Sequence, residues 1–199
     1  MSVPRPSEAA PVATPSPAWS LRAARAGDAD AWHALQATIY AEGRAFVGDG
    51  PPSGGALAAR LRALDPDQGT VRFAELGSGA APADRAAAPG GLIGWVEAYR
   101  MGSRRLQHVA VLTVAVAPRW RGRGVGRALM AELATWGRRR GVRKLQLHVR
   151  AGNAEAIALY QRLGYALEGV LRDQVAGDGG FEDEWVMALP LDPPEGWWP

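Results

Sequence analysis

The stretch Val116-Ala117-Pro118-Arg119-Trp120-Arg121-Gly122-Arg123-Gly124-Val125-Gly126-Arg127 joins a buried strand to a helix through a proline and three alternating glycines. Upstream of it, Val109 to Val116 is an almost unbroken apolar run, the pattern of a central strand covered on both faces, and Pro118 ends it by removing a ladder donor. Downstream, Val125, Leu129, Leu133 and Trp136 recur at spacings of three and four, so Val125 to Arg138 reads as a helix with one apolar face. Arginines cluster in its last turn, where the helix dipole favours cations, and Gly141 stops it. A strand that turns through glycines straight into a helix points to an anion. The helix start leaves several N–H groups without partners and carries partial positive charge, and glycine lets a phosphate reach the main chain with no Cβ in the way. Arg121, Arg123 and Arg127 add charge. The plainer alternative is a glycine-rich turn beside solvated arginines, but the proline, glycines and arginines together favour a phosphate or pyrophosphate ligand.

Two well-known phosphate loops also follow strands, and both fit poorly. One requires Gly-Lys-Ser/Thr, and the only lysine of the chain is Lys144. The dinucleotide turn reads Gly-x-Gly-x-x-Gly with an acidic residue about 20 positions on. Here the glycine spacing is one residue shorter, and the following strand offers Gln146 and His148.

Working outward, Arg143 to Val149 reads as a strand and Asn153 to Leu163 as a helix, with Gly164 breaking it before a strand from Tyr165 to Val170. Asp178-Gly179-Gly180 turns the chain into a last strand, Phe181 to Leu189. Toward the N-terminus, Leu92 to Arg100 and Thr70 to Leu76 read as strands, separated by an Ala/Pro/Gly loop from Gly77 to Gly90. Ala56 to Leu64 is a short helix after a loop from Gly43 to Gly55, and Trp19 to Arg22 is a short strand. Asp28 is placed to cap a helix through Trp32, Leu35, Gln36 and Ile39. The resulting order from Trp19 is β-α-α-β-β-β-α-β-α-β-β. Residues 1–17, rich in Pro, Ala and Ser, are expected to be a disordered tail, residues 18–190 one domain, and residues 191–199 a second tail with an unplaced Trp197-Trp198 pair.

The turn at Arg121 to Gly126 resembles the acetyl-CoA-binding motif Arg/Gln-x-x-Gly-x-Gly/Ala of the GCN5-related N-acetyltransferase (GNAT) family, which follows a strand ending in Val-x-Pro. A second block, Leu145 to Tyr165, is similar to the family's strand, asparagine-led helix and Leu-Gly-aromatic turn. The resemblance covers Trp19 to Leu189, firmly over Val109 to Tyr165 and weakly before Leu92, where relatives with different acceptors differ most. It implies an α/β fold, the GNAT acyl-CoA N-acyltransferase fold, with a central mixed, mostly antiparallel sheet flanked by helices.

The same resemblance implies that backbone groups of Val114, Ala115 and Val116 hydrogen-bond the pantetheine arm of acetyl-CoA. Amides of Gly122, Arg123, Gly124, Val125, Gly126 and Arg127 would cradle the pyrophosphate beside Arg121, and Asn153 would contact the donor near its thioester. Tyr160 matches the tyrosine that protonates the departing thiolate. The spacing supports this, because Asn153, Ala156 and Tyr160 lie on one helix face; the alternative for Tyr160 is a core tyrosine. Relatives often carry a glutamate base on the strand before the asparagine helix, and here that position is His148. Imidazole, with an ordinary pKa of about 6.5, can take the proton that an ammonium must lose before attack. The alternative for His148 is a packed histidine. Val111 stands where some relatives hold another acid, and Glu97, Glu75 and His108 are outside candidates. Glu182 and Glu184, opposite the core face of the last strand, read as solvated edge charges, with attraction of a cationic acceptor as the alternative.

Composition bounds the rest. The chain has 199 residues, 47% hydrophobic and without cysteine, which suits one core and excludes disulfides, thiolate metal sites and a cysteine nucleophile. With 23 basic against 20 acidic residues the net charge of +3 is modest, and no dense basic face with interleaved aromatics marks a nucleic-acid binder. No apolar run approaches the roughly 20 residues needed to span a bilayer, so no membrane partner is expected; a cytoplasmic address is the default expectation, and no metal is expected. The expected activity is acetyl transfer from acetyl-CoA to a primary amine, with a non-catalytic acyl-CoA sensor as the alternative. A homodimer, common in the family, is the assembly the resemblance implies.

Overall fold

The computed structural model describes residues 18–43, 46–177 and 179–193. The expected N-terminal tail, Asp178 of the last turn and the Trp197-Trp198 ending lie outside the described residues. Among the described residues seven strands form one sheet: β1 (Trp19–Ala23), β2 (Gly69–Leu76), β3 (Leu92–Arg100), β4 (Val109–Val116), β5 (Lys144–Arg150), β6 (Ala166–Gly177) and β7 (Gly180–Pro190). Their order is β1-β2-β3-β4-β5-β7-β6. Every pairing is antiparallel except that of β4 with β5. The helix between β4 and β5, α4 (Val125–Arg139), makes the crossover that a parallel pair requires. The mixed, mostly antiparallel sheet flanked by helices agrees with the expected class.

Helices α1 (Ala29–Tyr40) and α2 (Gly54–Arg62) cover one face of the sheet, and α4 covers the other. Trp32 of α1 is fully buried, meeting Phe73 of β2 and Trp95 of β3 edge-on at ring separations of 5.5 and 6.3 Å. On the opposite face, Val125, Leu129, Leu133 and Trp136 of α4 are all buried, as their spacing predicts. The helix sits close because Gly94 of β3 has no side chain: a Cβ there would lie 3.3 Å from both Leu129 and Val125. The second crossover helix, α5 (Ala154–Arg162), follows β5 and buries Ile157 and Tyr160.

Four local expectations are revised. The loop between β2 and β3 contains a short helix, α3 (Pro82–Ala86), started by a proline whose missing N–H and fixed φ suit a first helical turn. β6 runs seven residues past Val170, because it pairs with β7 beyond the end of β5 and projects as a hairpin. Residues 191–192, expected in the tail, belong to the body: Leu191 is buried and donates its N–H to Arg143 O at 2.7 Å, and Asp192 pairs with Arg138. Among the described residues no helix is long and apolar enough to cross a membrane.

Asp28 precedes α1 but does not cap it with its side chain. Its carboxylate instead accepts from Arg25 N–H at 2.6 Å and from both terminal nitrogens of Arg22 at 2.7 and 2.8 Å, tying β1 to the start of the helix. Burial pushes this carboxyl up, but Arg22 and the Arg25 N–H outweigh it and hold it below the ordinary value. A depressed carboxylate stabilises the fold above its unfolded pKa of about 3.9 and loses that contribution as pH falls through the folded value. Asp28→Asn is therefore expected to lower the thermal midpoint at neutral pH and to converge on wild type only as pH falls below the unfolded value of about 3.9 and through the folded one, which acid-range thermal melts would check.

Candidate active site

The site begins where two parallel strands part. β4 pairs with β5 only over Val109–Val111 against Lys144–Gln146, and beyond that point the pairing stops. Leu112 to Val116 and Leu147 to Arg150 become the walls of a cleft of about 550 Å³, closed at one end by the glycine turn and α4 and roofed by α5. That volume lies within the range of small-molecule sites.

The β4 backbone presents polar groups to this gap by simple alternation. Val109 O accepts from Met101 N–H and Ala117 N–H donates to Ile93 O, so the odd-numbered residues of β4 direct their main-chain groups to β3. The even-numbered residues then face the cleft: the N–H and C=O of Val114 have no strand opposite them. Ala115 is paired across to Trp95 of β3 and reaches the cleft by its side chain, which narrows the expected set of main-chain contacts. Val116 O takes a hydrogen bond from Arg121 Nε at 3.1 Å.

At the end of β4 the turn has the form the glycines predict. Gly122 (φ +69°) and Gly124 (φ +81°) adopt left-handed backbone that other residues enter at a cost, and a Cβ on either would meet open space. Gly126 serves differently, since a Cβ there would lie 3.3 Å from Leu159 of α5. Gly124 is the residue before α4 and has no side chain with which to cap it. The first helical bond is Ala128 N–H to Gly124 O, 3.0 Å, so the N–H groups of Val125, Gly126 and Arg127 precede the ladder and remain donors at the positive end of the dipole.

The three arginines of the turn have separate fates. Arg121 lines the cleft and forms a two-pronged pair with Glu42, just past α1, at 2.8 and 2.9 Å, so its guanidinium meets the cleft already paired within the protein. Arg123 lies over the Trp120 ring, 4.9 Å from its centroid, and Arg127 lines the cleft.

Three side chains on the walls carry chemistry. Asn153 precedes α5 and accepts Ala156 N–H on Oδ1 at 3.3 Å, a helix cap that leaves its NH₂ end as a donor. Tyr160, one face further along α5, is 7% exposed yet lines the cleft; burial pushes its hydroxyl up to about 12, so it is a proton donor at neutral pH. Its ring lies 5.8 Å from that of Tyr165, whose buried hydroxyl has no hydrogen-bond partner. His148 of β5 faces the cleft with its side chain 39% exposed, and its Nδ1 is 3.1 Å from Glu184 Oε2.

Glu184 is the residue that sequence reasoning misjudged. Of the two glutamates read as solvated edge charges, neither stands on an edge strand, since β7 lies between β5 and β6, and Glu182 is half-buried, bound to Arg150 and to Gly152 N–H at 2.7 Å. Glu184 is 8% exposed and lines the cleft. The available signal was its position on the face of β7 opposite Met187 and Leu189, but nothing local pairs β7 with β5.

The outside candidates stand elsewhere. Glu97 of β3 is buried beneath Arg60 at 3.1 Å and accepts from the Tyr99 hydroxyl at 3.3 Å; burial pushes its carboxyl up against the pull of that arginine. Glu75 of β2 is held by Arg22. His108 lies before β4, at the end away from the glycine turn, where its carbonyl accepts from Arg143 and Lys144. Val111 borders the cleft as an apolar wall.

The sheet parts at its one parallel pair, with a glycine-lined helix start at the head of the gap. The chain belongs to the acetyltransferase (GNAT) family, whose profile matches residues 56–165, just over half of its length. It is 38% identical over 98 residues to the ribosomal protein bS18-alanine N-acetyltransferase of Escherichia coli strain K12, covering 49% of this chain and 66% of that one, just under two thirds of the relative's length. Among solved structures, a GCN5-related N-acetyltransferase from Kribbella flavida superposes with a TM-score of 0.73 at 26% identity, over 87% of this chain and 98% of that one. The yncA protein of Salmonella typhimurium, solved with acetyl-CoA, gives a TM-score of 0.76 at 20% identity, over 90% and 98% of the two chains, a likeness of fold.

Proposed function

We propose that the protein is an N-acetyltransferase that moves the acetyl group of acetyl-CoA to a primary amine of a small molecule, an amino acid or a protein N-terminus by direct attack. The observation that carries this reading is the parted β4–β5 pair, with main-chain donors at its glycine end and Tyr160 and His148 on its walls. The residues suit the donor. The N–H groups of Val125, Gly126 and Arg127 would hold the pyrophosphate, Val114 would pair with the pantetheine arm as a strand would, and Asn153 would donate to it near the thioester.

The chemistry then needs two proton movements and no covalent enzyme intermediate. His148 takes a proton from the ammonium, and the freed nitrogen lone pair forms the C–N bond at the thioester carbon. As the C–S bond breaks, sulfur takes the Tyr160 proton. The nitrogen sheds its excess proton as the amide forms, and the phenolate is restored by one proton from that nitrogen or from solvent. Acetyl-CoA and the amine are the partners on this reading, and a cytoplasmic location is proposed with them. Homodimerisation, common in the family, is the assembly we propose.

Free-CoA release measured over amino acids, polyamines, aminoglycosides and N-terminal peptides tests the proposal. The bS18-alanine relative puts alanine-first peptides at the head of the panel. Turnover on one class is expected, and His148→Ala is expected to lower its kcat by about 10²- to 10⁴-fold. Acetyl-CoA binding without turnover on any amine would replace this reading with that of an acyl-CoA sensor.

A further inference from the structure

We infer that Glu184 is a positioning residue for His148, fixing which ring nitrogen meets the acceptor amine. The inference rests on the reading of His148 as proton acceptor and adds the group that makes it one. A carboxylate accepts hydrogen bonds and donates none, so the 3.1 Å contact requires the proton on Nδ1. In the neutral ring Nε2, on the far side, then carries the lone pair. The burial of the two partners fits this division, with the histidine side chain 39% exposed toward the cleft and the glutamate side chain 10% exposed behind it.

Sheet register explains the meeting. Across β5 and β7, His148 stands opposite Val186 and Arg150 opposite Glu184, so Glu184 reaches His148 along the diagonal while Arg150 turns away to Glu182 and to Gly43 O. The next strand on the other side, β4, lines the cleft from Val111 to Val116 with no titratable side chain, and Glu42 beyond it is paired with Arg121. A glutamate at position 148 would set two carboxylates side by side, where like charges oppose each other's ionisation. Histidine at 148 and glutamate at 184 form a matched pair, and the imidazolium formed by proton transfer is neutralised where it arises. The departure at 148 from the family's glutamate thus has a partner on β7.

The experiment compares Glu184→Gln, Glu184→Ala, His148→Ala and the double alanine variant in the CoA-release assay, with ¹⁵N spectra of the imidazole rings. Glu184→Ala is expected to lower kcat about 10- to 100-fold with the KM for acetyl-CoA unchanged. In the His148→Ala background the same change should cost nothing further. The His148 ring, identified by its loss in His148→Ala, is expected as the Nδ1–H tautomer in the wild type and in Glu184→Gln, whose amide oxygen still accepts, and as a mixture in Glu184→Ala. Independent, multiplying effects on kcat, or an unchanged tautomer in Glu184→Ala, would overturn the inference. Should Glu184→Ala fail to fold, an Nε2–H ring in the wild type would overturn it equally. Wild-type turnover by His148→Ala would instead remove the base assignment, a failure legible separately because the tautomer does not depend on activity.

Discussion

Tyr160→Phe is expected to lower kcat by about 10²- to 10⁴-fold while leaving the affinity for acetyl-CoA unchanged, the scale of losing one positioned general acid. The physical basis is that the hydroxyl is desolvated among the residues of α5 and the cleft, which pushes it up to about 12 and keeps it protonated through the neutral range. An acid that starts protonated can supply a proton to a thiolate at the moment the C–S bond breaks. The substitution keeps the ring, so the contact with Tyr165 at 5.8 Å and the packing of α5 survive. Steady-state kinetics with titration of CoA binding separate the two quantities. Equal kcat in the variant would take Tyr160 out of the reaction and return it to the role of a core side chain.

The second large effect is one of architecture. Arg121→Ala removes all three hydrogen bonds that tie the glycine turn to Val116 O and to Glu42, leaving Glu42 half-enclosed without the two-pronged contact. Breaking a fully buried pair costs about 3–5 kcal/mol. These side chains are 23% and 17% exposed, so solvent screening reduces the expectation to about 2–3 kcal/mol. For a domain of this size that is a fall of roughly 5–10 °C in thermal midpoint. Arg127→Ala is expected to behave oppositely, weakening acetyl-CoA in a salt-dependent way with the melting temperature nearly unchanged, because Arg127 faces the cleft. Thermal melts and CoA titrations at two salt concentrations check both. A stable Arg121→Ala with weakened CoA binding would restore Arg121 to the ligand set read from the motif.

These two residues show how far the motif reading extends. The place of Tyr160 on the cleft wall was legible because its geometry is local: Asn153 and Tyr160 share a helix face whatever the rest of the chain does. Arg121 reads from the motif as a ligand residue, but its partner in the fold, Glu42, is 79 residues away in sequence, and an arginine beside a phosphate loop looks alike in sequence whether it meets a phosphate or a glutamate. Asp28 failed in the same manner. Its place before α1 was correct, but Arg22 and Arg25 on the preceding segment took the carboxylate that was expected to cap the helix.

What the sequence by itself determined is what backbone sterics and periodicity control within a few residues. It placed the strand Val109–Val116, the glycine turn that follows it, the helix with Val125, Leu129, Leu133 and Trp136 inward, and the asparagine at the head of the next helix. These features follow from φ/ψ limits, helix spacing and capping chemistry, which act over short separations. Tertiary structure alone decided that β7 inserts between β5 and β6, that β4 and β5 part after three paired residues, and that Glu184 therefore meets His148 across a separation of 36 residues. Strand order and register are settled by burying both faces of the whole sheet at once, a condition no local stretch of sequence contains.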